Sequence, residues 1–137
     1  MATRTWALSS DVHLIGPVVD AIVGMCQDAG FSGRHCRLNV PVAVTEAVTN
    51  AMLRGNANLA GSQVTVSVVI DTERLLVDVT DEGQGFDLDC AERTPADADW
   101  LEREDGRGVF LMRQLMDGVE NRCLETGHLL RLILQRA

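Results

Sequence analysis

Lysine is missing from this 137-residue chain: its 12 basic residues are all arginine, set against 20 acids for a formal net charge of -8. Affinity for a nucleic-acid backbone comes from clustered cations, so direct nucleic-acid binding is not expected. Any phosphate held here must be held by arginine, by backbone amides or by a metal ion. A Walker-type Gly-Lys-Ser/Thr loop is excluded along with lysine, and no Gly-x-Ser-x-Gly nucleophile elbow occurs. No apolar run approaches the ~20 residues that span a bilayer, so no membrane is expected as a partner. Met1-Ala2-Thr3-Arg4 lacks the charged-then-apolar order of a secretory leader. Cys26, Cys36, Cys90 and Cys123 show no Cys-x-x-Cys spacing, and His13, His35 and His128 do not cluster with them or form a triad. A zinc centre is therefore not expected. The reading is of a cytoplasmic protein with reduced, partly buried thiols.

What is present is enough for one domain over residues 1–137, with 46% hydrophobic residues to build its core. Arg4 to Leu8 alternates like a short strand. Ser10 or Asp11 offers a cap for a helix from Val12 to about Asp28, whose apolar face is Leu14, Ile15, Val18, Val19, Ile22 and Met25. Pro17 starts or kinks that helix, and Gly30 ends the segment. Asn39 is a candidate cap for a second helix with Pro41 in its first turn and a core stripe of Val44, Val48, Ala51 and Met52. Val64–Ile70 and Leu75–Thr80 predict a hairpin turning at residues 71–74. Residues 87–105 read as a long acidic loop. A third helix, from Gly108 to about Met116, carries Phe110, Leu111, Leu115 and Met116 as its apolar residues. Two strands, near Asn121–Leu124 and Leu129–Leu134, close the chain. The order β-α-α-β-β-loop-α-β-β predicts an α+β fold, a two-layer sandwich with a mixed, mostly antiparallel sheet and helices on one face.

Three groups of residues carry possible chemistry. Glu46, Asn50 and Arg54 are spaced by four and share a helix face, which is either a solvated polar face or a site. As a site, Asn50 supplies a neutral oxygen for Mg²⁺, and Glu46 accepts a proton from an attacking hydroxyl. Arg54 reaches either a phosphate or solvent. Asp81 ends a strand and opens the turn Asp81-Glu82-Gly83-Gln84-Gly85-Phe86. This is either an ordinary Asp/Gly turn or a carboxylate that accepts a hydrogen bond from adenine's exocyclic amine, with Gly83 and Gly85 letting backbone pass close to a flat ring. Gly106-Arg107-Gly108 opens the third helix. It is a hinge or, where the first-turn amides are bare, an anion site to which Arg107 adds a forked donor.

Together, Glu46-Ala47-Val48-Thr49-Asn50-Ala51, Asp81 to Phe86, and Gly106-Arg107-Gly108-Val109-Phe110-Leu111-Met112 resemble the N box and two glycine boxes of the GHKL ATPase superfamily (gyrase, Hsp90, histidine kinases, MutL). Over nearly the whole chain, the likeness is to the anti-sigma-factor serine/threonine kinases of bacterial partner switching. The resemblance implies the GHKL (Bergerat) fold, with residues 87–105 as an ATP lid. It implies ATP and Mg²⁺ as cofactors, with Glu46 as general base and Asn50 as metal ligand. The nucleotide would be held by Asn50, Arg54, Asp81, Gly83, Gly85, Gly106, Arg107, Gly108 and Val109. It further implies transfer of the γ-phosphoryl group to a STAS-domain anti-anti-sigma protein, sequestration of a sigma factor, and a homodimer. An ATP-binding switch module without kinase activity is the alternative. The catalytic domain of a two-component histidine kinase is a third reading, disfavoured because no dimerisation helix with a phosphoacceptor histidine precedes these boxes. Two positions depart from the family pattern. Arg54 stands where a histidine is common, which implies altered phosphate contacts. Gly127-His128 stands where Gly-Thr is common, which implies loss of a minor nucleotide contact.

Overall fold

The computed structural model of the protein describes residues 1–55, 62–82, 106–124 and 127–136. Its strands are β1 (Ala2–Ser9), β2 (Gln63–Ile70), β3 (Arg74–Asp81), β4 (Gly118–Leu124) and β5 (Gly127–Gln135). Its helices are α1 (Ile15–Asp28), α2 (Val40–Asn50) and α3 (Gly106–Leu115).

Strict alternation produces the sheet. Val64, Val66, Val68 and Ile70 of β2 and Leu75, Val77 and Val79 of β3 point to one face and are fully or almost fully buried. Leu132 and Leu134 of β5 join them across the register Val77↔Leu132 and Leu75↔Leu134. The strand order is β1-β2-β3-β5-β4. Every described pairing is antiparallel, so the sheet is uniform where the sequence suggested a mixed one. Period-2 burial of this kind suits an antiparallel sheet with one covered and one solvated face.

The helices cover the buried face. Val18, Val19, Ile22 and Cys26 of α1 and Val40, Ala43, Val44, Ala47 and Val48 of α2 meet the strand residues in one core cluster. The opposite face is polar at its centre. Arg131 on β5 makes a two-pronged pair with Asp78 on β3, Nε to Oδ1 at 2.7 Å and an η nitrogen to Oδ2 at 2.9 Å. This pair holds the Arg131 guanidinium even more firmly protonated than usual, chiefly through its hydrogen bonds and then through charge.

Local signals mostly act where the sequence puts them. Asp11 caps the first helical turn, its Oδ1 accepting from the His13 amide at 3.0 Å. Pro17 sits in the first turn of α1, after a 3₁₀ turn at Val12–Leu14, where its missing N–H costs nothing. Gly30 ends that segment with φ +85°, the left-handed region glycine favours. In the hairpin, Asp71 Oδ1 accepts from the amides of Glu73 and Arg74, at 2.7 and 2.9 Å.

One expectation is corrected. Asn39 does not cap α2: the chain is already helical there, in a wide π turn at His35–Asn39 that runs straight into the helix, and the side chain makes no cap bond. Of the apolar residues of α3, Phe110 is 60% exposed, while Met116 and Met112, the latter at 1%, are buried. Residues 87–105, the expected lid, lie outside the described residues.

Candidate active site

The amide of Asn39 is spent on a different helix. Its Nδ2 donates to the carbonyl of Leu115, the last residue of α3, at 2.6 Å. Because α2 and α3 pack on one another, this junction of one helix start with the other helix end makes them run in opposite senses. The Gly106 end of α3 is thereby carried toward the Asn50 end of α2. Asn39 also marks which side of α2 faces α3. Glu46 lies seven residues on and Asn50 four beyond that, so all three share one stripe of the helix surface.

Glu46 and Asn50 are both half-buried on that stripe, while Ala47 and Val48 beside them are sealed in the core. The local sequence explains the arrangement. Val44, Val48, Ala51 and Met52 hold the apolar side of the helix against the sheet, which fixes the rotation that presents the acid and the amide. After Asn50 the helix widens into a π turn, Ala51–Gly55, that contains Arg54. With i→i+5 bonding, four residues no longer complete a turn. The regular face expected to run on to Arg54 therefore ends at Asn50.

Asp81 is the last residue of β3 and points to the buried face, at 6% exposure. Among the described residues it is the only acid in the buried set. A buried carboxylate is costly unless it is hydrogen-bonded, and Asp81 is engaged within the protein. The π turn after α2 packs against both β2 and β3, so the helix bearing Glu46 and Asn50 and the strand bearing Asp81 share one end-wall. Gly106 begins α3. Gly83 and Gly85 lie outside the described residues, and Arg107, Gly108 and Val109 are placed here only as the first turn of α3.

Gly127 and His128, marked in the sequence as a departure from the family pattern, are given their place by the strand register. His128 is the register partner of Asp81 on β5, Asp81↔His128, and its Nε2 is shielded from solvent. Gly127 beside it is required by close packing. A Cβ there would run into the backbone carbonyl of Asp81 and approach Glu82 Cα to 3.2 Å. That they lie beside Asp81 follows from the strand register, which appears only once β3 and β5 are paired. Among the described residues no three His, Cys, Asp or Glu side chains converge into a metal cage.

A comparison with known families matches residues 8–134 to the histidine kinase-like ATPase domain. The chain belongs to that family. Within it, the similarity is to anti-sigma-factor kinases. A protein named serine-protein kinase RsbW from Listeria monocytogenes is 31% identical over 106 residues, covering 73% of this chain and 66% of that protein. Its namesake from Halalkalibacterium halodurans is 33% identical over 113 residues, covering 79% and 68%. The anti-sigma F factor of Clostridium acetobutylicum is 37% identical over 84 residues, covering 60% and 57%. The chain thus spans just under two thirds of the Listeria relative's length. No helix among the described residues is long and apolar enough to cross a membrane.

Proposed function

We propose that this chain is an ATP-dependent serine/threonine kinase that phosphorylates a STAS-domain anti-anti-sigma protein and, when that antagonist is phosphorylated, holds a sigma factor. The observation that carries this reading is the stripe of α2 on which Glu46 and Asn50 stand half-buried, one turn apart, on the side that meets α3. An acid held in that setting, out of the core yet not in open solvent, suits a proton acceptor. A merely solvated helix face would have no reason to be the face turned toward another helix.

In this reading Asp81 accepts from the amine of adenine at the floor of the site. The first turn of α3, with Arg107, lies along the phosphates, where bare amides and the helix dipole favour negative charge. Arg54 serves the same phosphates from the π turn. Asn50 fits a magnesium ion: its amide is a neutral oxygen donor of the kind a hard cation takes. When bound, the metal neutralises phosphate charge as transfer proceeds.

Glu46 takes the proton of the substrate hydroxyl. That oxygen bonds to the γ-phosphorus as the bond from phosphorus to the β–γ bridging oxygen breaks, and ADP departs with the electron pair. Phosphoryl transfer is mostly positioning and charge neutralisation, so this small set of side chains suffices. We also read the protein as cytoplasmic and homodimeric, with the outer side of β1, the edge of the described sheet, offered to a second copy.

The test is incubation with Mg·ATP and a STAS-domain partner, followed by phosphopeptide mapping. Wild type should give phosphoserine or phosphothreonine. Glu46→Ala should lower the transfer rate by about 10²-fold or more while keeping nucleotide affinity. Absence of transfer by wild type to a folded partner would sink the kinase reading. If partner switching proceeds undiminished in Glu46→Ala, the chain is an ATP-binding switch without transfer.

A further inference from the structure

In the proposed site, phosphates at the first turn of α3 depend on where that turn stands along α2. Sliding α3 by one turn would carry its amides about 5.4 Å away from Glu46 and Asn50. Apolar contacts do not set this position closely. The buried side chains among those described on α3 are Met112 and Met116, and methionine fills space adaptably rather than in one register.

A directional bond does set it. Asn39 Nδ2 donates to the carbonyl of Leu115 at 2.6 Å. That carbonyl is among the last four of α3, which have no partner inside their own helix. Asn39 thus closes the end of a helix to which it does not belong. Chemistry assigns the two atoms of its amide: the oxygen turned to Leu115 would face another oxygen, so the nitrogen stands there. Its Oδ1 is shielded from solvent and has no hydrogen-bond partner among the described residues, a cost that a side chain serving only its own helix would avoid. The chain leaving α3 is fixed to the sheet as well. The Asp117 amide donates to the Ile133 carbonyl at 2.8 Å, and Asp117 Oδ2 accepts from the Gln135 amide at 2.6 Å.

With that end held, the other follows by length. From Leu115 back to Gly106 is about 13–14 Å along the axis. On the antiparallel α2 the same length from Asn39 ends near the level of Val48, midway between Glu46 and Asn50. We propose that Asn39 is a positioning residue for the nucleotide phosphates: its bond to Leu115 sets the register of α3 along α2 and so places the first-turn amides of α3 level with Glu46 and Asn50. This inference rests on the adenine-nucleotide reading above and deepens it. Asn39 touches no substrate and acts from the opposite end of both helices. Without its bond α3 pivots on the Asp117 attachment, and the displacement is largest at Gly106. Asp81, on β3, lies outside this lever.

Calorimetric titration of the full chain with ADP and with adenosine separates the two parts of the site. Wild type should bind ADP more tightly than adenosine, because only ADP reaches α3. Asn39→Leu keeps the size of the side chain and removes the donor. It should lose about tenfold for ADP, the scale of one hydrogen bond, and should bind adenosine as wild type does. Asn39→Asp, also without a donor when ionised, should behave in the same way. Asn39→Gln keeps an N–H donor and should retain wild-type affinity for ADP, a result that packing alone would not give. Unchanged ADP affinity in Asn39→Leu would overturn the assignment, as would a loss in Asn39→Gln equal to that in Asn39→Leu. Equal losses for ADP and adenosine, or failure of both donorless variants to fold, would make Asn39 a residue of the fold as a whole and overturn it too. If wild type binds both ligands equally, the phosphates do not meet α3, and the assignment fails while the adenine reading stands. If wild type binds neither, the nucleotide reading fails, and this assignment fails with it.

Discussion

At Gly127 a single methyl group decides how β5 can lie beside the end of β3. The Asp81 carbonyl occupies the space a Cβ would need, and the obstruction is backbone, which cannot swing aside as a long side chain does. Gly127→Ala should therefore destabilise the protein by about 2 kcal/mol, in the range of overpacking a close contact, as read by urea unfolding. An unchanged unfolding midpoint would show that β5 shifts without cost. Cys26 is the residue-scale counterpart in the core. Burial, with a smaller contribution from nearby Cys36, pushes its thiol up to about 12. Only the thiolate reacts, so Cys26 in the folded protein should resist iodoacetamide at pH 8 and label fully in denaturant. Peptide mapping checks this, and labelling of native Cys26 at the rate of an exposed thiol would contradict it.

The stability of the β2–β3 hairpin is tied to pH. Amide hydrogen bonds from Arg74 and then Glu73 hold the Asp71 carboxyl below its ordinary 3.8. A depressed acid contributes stability above its unfolded-state value and loses it as pH falls through the folded-state value. The melting temperature of Asp71→Ala should fall short of wild type at pH 6, and the gap should close as pH drops below 3.8; a gap that stays constant with pH would remove the charge from the explanation. The hairpin was plain in the sequence because alternation and turn chemistry are local: Val64, Val66, Val68 and Ile70 against Leu75, Val77 and Val79, with an Asx turn between. The same holds for Asp11 as a cap and Gly30 as a stop. What was not legible depends on distant partners. Asn39 has the composition of a cap, yet its amide is claimed by Leu115, 76 residues away. Phe110 looks like core by residue type, but the rotation of α3 gives its place to Met112. The π turns flanking α2 have no sequence signature, so Arg54 was assigned to a face that the helix does not continue. Glu46, Asn50 and Asp81 were named from helix spacing, the strand end and the resemblance, and Gly127-His128 from its departure from the family pattern; only the register sets His128 opposite Asp81.

The whole molecule is a one-sided construction. Helices seal one face of the sheet, and the other meets water with Thr5, Ser67, Asp78, Arg131 and Glu120 in a cross-strand row. All the chemistry proposed here gathers at one end of the covered face, where strand ends and helix ends meet. The polar face is left to the mutual pairing of its own charges, as at Arg131 and Asp78. That division lets substitutions on the open face be made without touching the proposed nucleotide site.

Among the described strands, β1 is hydrogen-bonded along one side only, to β2. Successive amides of an edge strand alternate between the ladder and the water. Deuterium should therefore enter β1 with a beat of two residues, fast and slow in turn. If another chain lies along that margin, the fast amides alone should slow. The rhythm of exchange across eight consecutive positions would then report whether the molecule is solitary or joined, before any contact had been mapped.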